Sequence, residues 1–466
     1  MKTLITTIIL ITTLAGCKKF LEIPPPTYQQ VTTSVFEDNT SANSAIIAVY
    51  TQMTYGQSYQ WCLFPALLAD DLNSYSTDPM LLQFFENNIS PDNPSLAYDY
   101  WTTPYKFLYE VNAIIENVNR SKLLSPILKR QLLGEAKFIR AFWCFQLVNL
   151  FGDVPLVTST DYKINALMSR TSKEQVYRLI IQDLEEAKGL LNSDFVGKDG
   201  VSVTEERTRP NKWAATALLA RAYLYINDFA KAEQEASAVI SNPMFKINTD
   251  LNEVFLKNST ETIWQLQSTK LSASMNTPEG RNFYLWRTPL DGTALSSTIS
   301  DDLYNSFEQG DLRKDVWIGT FTEGTTDFLF PAKYKAYYTD VMSEYSMILR
   351  LAEQYLIRAE ARARQDNLSG AQEDIDIIRN RADLDNTAAS NKSDILIAIE
   401  HERRVELFTE WGHRWFDLKR TGRVNAVMSD YSSRKNGTWG NTDQLLPIPK
   451  NDVDKNPNMV QNPGYQ

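Results

Sequence analysis

Histidine is nearly missing from this chain: there are two in 466 residues, His401 and His413. Neither falls in an HExxH or any other metal-ligand spacing, so a histidine-based metal centre has no support in the sequence. A serine or cysteine triad would have to borrow one of the same two residues, and both lie in a stretch better read as framework. Cysteine is almost as scarce, with three in all. Once Cys17 is set aside, Cys62 and Cys144 make no disulfide framework, and Cys144, in the run Phe142-Trp143-Cys144-Phe145, reads as a core thiol. Beyond the first residues no stretch approaches eighteen uninterrupted apolar positions, so no transmembrane helix is expected in the body. Basic runs are lacking too. With a formal net charge of −10 there is nothing to neutralise phosphates, which argues against a nucleic-acid partner. Neither a P-loop nor a Rossmann glycine fingerprint occurs, and no cofactor is expected.

What is present starts at the N-terminus. Lys2 and the apolar run from Leu4 to Ala15 read as a signal peptide, being too short to span a bilayer as a helix. It closes on Leu14-Ala15-Gly16-Cys17, which resembles the lipobox at which bacterial lipoproteins are cleaved and the new N-terminal cysteine acylated. Residues 1–16 are therefore expected to be removed and Cys17 to carry the lipid, whose buried methylenes each contribute about 0.8 kcal/mol of membrane affinity. Lys18, not an aspartate, follows, so nothing resembles an inner-membrane retention signal. Consecutive prolines at 24–26 make residues 17–33 an extended tether. The remaining 34–466, in a chain 43% hydrophobic and 11% aromatic, can bury a large core as a single body.

That body reads as mostly helical. Apolar residues recur at three- and four-residue spacing over Trp101 to Val118, Ile127 to Leu150, Lys173 to Leu191, Asn211 to Ile226 and Asp228 to Ile240. Gly152 closes one helix and Pro210 stands near the start of another. A shift of 139 residues superposes the stretch from Ala220 on that from Glu360, aligning Ala222 with Ala361, Phe229 with Leu368, Ala232 with Ala371, Ala236 with Ile375 and Val239 with Ile378. Each copy is a helix with small residues, a short Asn-Asp or Asp-Asn turn and a second helix, which resembles a degenerate tetratricopeptide repeat. From 243 to 344 the helical period fades and turn residues multiply. Thirteen aromatics fall between Phe283 and Tyr345, about twice the chain average, so this part reads as a loop-rich insertion on a helical scaffold.

Several motifs in a fixed order carry a family resemblance. After the lipobox come LEIPPPTYQQ, the helix ANSAIIAVYTQM, GEAKFIRAFWCFQLVNLFGDVPLV from Gly134, RPNKWAATALLARAYLYINDFAKA, HERRVELFTEWGHRWFDLKRTGR from His401, and LLPIPKNDVDKNPNMVQNPGY at the end. Across essentially the whole mature length this resembles the SusD/RagB family. The resemblance implies an α-helical fold of tetratricopeptide-like pairs with an embedded loop-rich ligand-binding subregion. It also implies an outer-membrane lipoprotein facing the cell exterior, which captures oligosaccharides and passes them to a SusC-like TonB-dependent β-barrel. A peptide-binding, RagB-like import subunit is the alternative, and a glycoside hydrolase a more distant one. Trp411 stands where many relatives would have a tighter Glu-Gly step.

In the motif from His401, Phe408, Trp411, Trp415 and Leu418 read as one apolar helical stripe, with Arg403, Arg404, Glu406, Glu410, Arg414 and Asp417 as ion-pairing residues around it. The proline-rich tail after Leu446 is expected to be neither helix nor central strand and to be held by side chains. A glycosidase needs only two opposed carboxylates. Asp70-Asp71 and Asp301-Asp302 are candidates, but adjacent acids are more often helix caps or solvated loop residues. Sugar rings present an apolar C–H face and a hydroxyl rim, which exposed aromatic planes and a few polar groups match. RNFYLWR from Arg281 supplies that mixture, with Tyr284 and Trp286 on one face if extended. Trp317 and the group Tyr334, Tyr337, Tyr338 lie in the same region, and Tyr75 follows Asp70-Asp71 in an early loop. The expected ligand contacts are thus Tyr75, Tyr284, Trp286, Trp317 and Tyr337.

Overall fold

The computed structural model describes residues 35–54, 57–268, 276–292, 296–337, 339 and 341–465. The signal peptide, Cys17, the tether and Tyr338 lie outside these. The longer helices are α1 (Asn39–Thr54), α2 (Gln57–Leu68), α3 (Thr103–Arg120), α4 (Pro126–Phe151), α5 (Lys173–Leu190), α6 (Lys212–Tyr225), α7 (Phe229–Ile240), α8 (Leu351–Arg364), α9 (Leu368–Arg381), α10 (Lys392–Leu407) and α11 (His413–Arg420). Among the described residues no helix is long and apolar enough to cross a membrane.

α4 is the axis of the core. From Phe138 to Phe151 every residue is buried, the pattern of a helix surrounded by protein on all sides. It stops at Gly152, whose φ of +73° suits a residue without a β-carbon. Cys144 is buried on it, and burial pushes its thiol up to about 12. Helix starts follow side-chain caps: Asn211 accepts from the N–H groups of Trp213 and Ala214, Asp228 from Lys231, Asn367 from Gly370 and Asn391 from Asp394.

The repeat holds down to the backbone angles. α6–α7 and α8–α9 are two helical hairpins whose boundaries are displaced by the same 139 residues except at the last, where α9 runs further. In the turns, Asn227 and Asp366 are left-handed at φ +62° and +66°. The capping residues that follow, Asp228 and Asn367, have φ/ψ of −83°/72° and −84°/73°. Their N–H groups donate to Tyr223 and Arg362, both at 2.9 Å. Ala222, Ala232, Ala361 and Ala371 are fully buried where the paired helices close together. Arg221 on α6 and Glu353 on α8 join the hairpins through two 2.6 Å contacts inside the core.

Between α7 and α8 the described residues contain no helix longer than six. The strands there form three antiparallel pairs, one of them with a strand from just after α2: β1 (Leu72–Ser74) with β3 (Ser297–Ile299), β2 (Thr262–Leu266) with β6 (Ser346–Arg350), and β4 (Ile318–Glu323) with β5 (Thr326–Pro331). One buried cluster of charges fastens this region to the scaffold. Arg313, just before β4, meets Glu402 at 2.9 Å and Glu406 at 3.1 Å. Lys333, just after β5, reaches Glu410 at 2.5 Å, and Arg350, closing β6, holds Glu406 at 2.5 Å and Glu410 at 2.8 Å. Glu261, at the entry to β2, pairs with Arg381 of α9 at 2.7 Å. Removing one partner from such a cluster strands a buried charge, which is what gives it its hold.

Three expectations are corrected. The stripe Phe408, Trp411, Trp415, Leu418 is not one helix: α10 ends at Leu407, and Thr409, Trp411 and Gly412 have φ of +53°, +42° and +79°, which no right-handed helix accommodates. All four side chains are nonetheless buried, and their charged neighbours pair inside the protein, as Arg403 does with Asp417 at 2.7 Å. The tail does contain a helical turn, Lys450–Lys455, entered through Pro449, where the missing N–H costs nothing. Asparagines fix the rest: Asn462 donates to the carbonyls of Phe151 and Leu446, and Asn456 to Met168. Finally, Asp70 and Asp71 are neither caps nor solvated. Both are buried; Asp70 takes a two-pronged contact from Arg414 at 2.7 and 2.8 Å, and burial pushes Asp71 up to about 6.

Candidate ligand-binding site

Four of the five expected contact residues converge on one aromatic surface. Tyr75 directly follows β1, its N–H donating to the Ser296 carbonyl at 2.7 Å as the pairing with β3 runs out. Tyr284 and Trp286 follow the short helix Pro278–Phe283. They share a face because the chain is extended there, and Leu285 between them turns into the protein. Tyr337 arrives from the segment after β5. Its ring stacks on Tyr284 at 5.0 Å with planes 11° apart, and lies 6.4 Å and 26° from Trp286. Trp286 is 50% and Tyr75 40% exposed.

The β4–β5 hairpin supports this surface from beneath. Gly324 takes φ +63° at its tight turn. Phe328 and Phe330, alternate residues of β5, point the same way and are buried. Tyr75 stands edge-on to Phe328 at 5.7 Å, and Tyr284 edge-on to Phe330 at 5.0 Å. Opposite Phe330 in the register is Gly319, where a β-carbon would run into the phenyl ring. The rim is polar: Arg287 lies over Trp286 at 5.0 Å and pairs with Asp291 at 3.4 Å, and the Thr288 hydroxyl donates to Glu323 at 2.6 Å. Such a surface offers flat apolar faces edged by donors and acceptors.

Trp317 does not belong to it. The side chain is fully buried, its N–H donates to the Leu251 carbonyl at 3.1 Å, and Phe255 packs edge-on at 5.5 Å. Its place at the end of a short helix leading into β4 sends the indole into the core, beneath the cations of Lys333 and Arg381. Tyr334 is likewise a core residue, its hydroxyl accepting from the Met347 N–H at 2.8 Å. The supports Phe328 and Phe330 were not among the expected residues, although their alternation beside a glycine turn is a hairpin signal.

A separate cleft of about 810 Å³ is lined by Tyr50, Glu206, Gln267, Met342 and Tyr345 among others, and contains none of the surface aromatics. Glu308, His401 and Glu402 bring potential ligand atoms within 4.8 Å of one another. Arg379 already donates to both carboxylates, at 2.6 and 2.9 Å, and supplies the positive charge there. His413 is buried, and burial with surrounding arginines holds its pKa well below the usual range. Asp302 pairs with Arg434 at 2.8 Å, and Asp301 opens a helical turn capped by Ser300.

The fold is thus a scaffold of helical hairpins that presents an aromatic surface through a strand-braced loop region. A sequence model described as the SusD family matches residues 261–465, and one described as starch-binding, associating with the outer membrane, matches residues 19–224. The SusD-like protein P2 of Formosa agariphila is 25% identical, with 99% of each chain covered. The starch-binding protein SusD of Bacteroides thetaiotaomicron is 24% identical over 84% of each. A laminarin-binding SusD-like protein of known structure superposes with a TM-score of 0.76 at 24% identity, covering 91% of this chain and 99% of its own. The chain belongs to the SusD/RagB family.

Proposed function

We propose that this protein is the surface lipoprotein of a glycan importer, binding oligosaccharides on the platform of Tyr75, Tyr284, Trp286 and Tyr337 and handing them to a SusC-like TonB-dependent barrel. The observation that carries the proposal is the stacked, partly exposed ring set, held rigid from below by Phe328 and Phe330. A preformed stack of aromatic rings with a polar rim suits pyranose rings and spares the cost of ordering side chains on binding. Relatives whose names record starch and laminarin binding support the ligand class. In this reading residues 1–16 direct export, Cys17 carries the lipid, 17–33 are the tether, and 34–466 form the body, with 243–344 as its ligand-bearing region. The protein binds and does not cleave.

Calorimetric titration of the mature chain with maltohexaose and laminarihexaose tests this. Saturable binding of either, lost in Tyr284→Ala and without release of shorter sugars, is the expected result. Binding of casein-derived peptides in place of both sugars, or hydrolysis of either sugar, overturns it.

A further inference from the structure

Beside Tyr75, the platform draws on two stretches far apart in sequence, 276–287 carrying Tyr284 and Trp286, and 333–337 carrying Tyr337. Three buried polar side chains hold them in register. The Asn276 Oδ1 accepts from the N–H groups of Ser343 at 2.5 Å and Glu344 at 2.9 Å, and its Nδ2 donates to the Val341 carbonyl at 3.1 Å. Glu279 accepts from the Ser346 hydroxyl at 2.7 Å. Glu344 then turns back on its own strand approach: its two oxygens accept from the N–H groups of Lys335 at 2.7 Å and Ala336 at 3.1 Å, the residues directly before Tyr337. All three side chains are at most 3% exposed. Gly280 completes the junction, since a β-carbon there would lie 3.1 Å from that of Tyr334.

We infer that Asn276, Glu279 and Glu344 are positioning residues that fix Tyr337 parallel to Tyr284, and so set glycan affinity without touching the glycan. The inference rests on the platform being the ligand surface. The physical reason is specific to the topology. β5 and the segment after it are anchored at Lys333, and β6 begins at Ser346; between these points the described residues form no strand, and a single isolated bridge, Glu344 to Leu256, is their one ladder-type pairing. The N–H groups of Lys335 and Ala336 find their acceptor in a side chain instead of a ladder. Without that acceptor the ring of Tyr337 would have to be ordered on binding, at the expense of affinity.

The test uses the full mature chain. Asn276→Ala and Glu344→Ala are each expected to weaken binding of laminarihexaose or maltohexaose, whichever the wild type takes, about tenfold. In a Tyr337→Ala background neither should weaken it further, because both act through that ring. Glu344→Gln, which keeps one acceptor oxygen, should recover part of the loss. In parallel, 3-fluorotyrosine at position 337 reports the stack without ligand: its resonance should move in Asn276→Ala towards its position in Tyr284→Ala. Equal loss of affinity in both backgrounds, or an unmoved resonance, overturns the inference. If neither sugar binds the wild type, the platform reading fails, and the fluorine resonance still decides whether the clasp exists.

Discussion

The rings of Tyr284 and Tyr337 lie 5.0 Å apart and 11° from parallel, so two residues more than fifty positions apart in the loop region stack as one unit. Trp286, beside it and half-exposed, extends the surface outward.

Trp286→Ala should therefore weaken oligosaccharide binding by roughly fivefold, in line with about 1 kcal/mol for an aromatic contact. Its unfolding free energy should stay within about 0.5 kcal/mol of wild type, as for most surface substitutions. Titration calorimetry paired with chemical denaturation measures both.

Trp317→Ala and Trp415→Ala should behave in the opposite way. Both indoles are fully buried, and emptying such a site costs about 3–5 kcal/mol through lost contacts and a residual cavity. A lowered denaturation midpoint is expected for each. An unchanged midpoint for Trp317→Ala would contradict its placement in the core.

Gly319→Ala offers a way to disturb the platform from below. The added methyl must displace the Phe330 ring, at an overpacking cost of about 1–3 kcal/mol. Because Phe330 supports Tyr284 edge-on, affinity should fall although the substitution lies outside the platform. Retention of wild-type affinity would show that the hairpin face is more yielding than its packing indicates.

How much of this was legible in the sequence depends on whether the signal was local. The two hairpins were readable because alanines and a capped turn repeat at a fixed offset, and their backbone angles agree to within a few degrees. Within RNFYLWR the pairing of Tyr284 with Trp286 was readable because alternation puts them on one side of an extended chain, whereas the helical turn that takes in Arg281 to Phe283 was not. Trp317 was not, since a tryptophan in a loop-rich stretch looks the same whether it faces solvent or Lys333; only the tertiary charge cluster decides. The break after Leu407 was hidden for a similar reason. Thr409 and Trp411 adopt left-handed angles that their residue types disfavour, and surrounding contacts, such as the Trp411 N–H donating to Met347 at 3.0 Å, hold them there.

Arg221 and Glu353 give a test of the hairpin junction. Arg221→Met alone should cost about 3–5 kcal/mol because it strands the Glu353 carboxylate in the core. Combining it with Glu353→Leu should restore much of that, since two well-packed apolar side chains need no partner. Urea denaturation of the single and double variants separates the two cases.

Glu344 sets a pH dependence. Burial raises its carboxyl to about 7, above the ordinary carboxylate value of 4.5. Between those values the folded protein holds a proton that the unfolded chain has released, so the contribution of this group to stability falls as pH rises from about 4.5 to about 7. Thermal midpoints of wild type and Glu344→Gln should shift relative to each other in favour of the variant between pH 5 and pH 8. A constant difference would mean that the carboxylate is already ionised at pH 5.

Cys17→Ser tests the anchor. If acylation of that thiol holds the protein, the variant should leave the outer-membrane fraction, and the wild type should co-purify with a large β-barrel under mild detergent. Unchanged membrane retention of the variant would refute the lipid attachment.

The charge cluster of Arg313, Lys333, Arg350 and Glu261 has a consequence for how such a chain diversifies. Each of these residues stands where a stretch of the loop region joins the helices. With the junctions pinned, the segments between them are interchangeable parts: residues 281–292, or the 318–331 hairpin, can be lengthened, shortened or replaced with the strain confined between two fixed posts. A chimera bearing the corresponding segments of a relative should therefore fold on the unaltered frame.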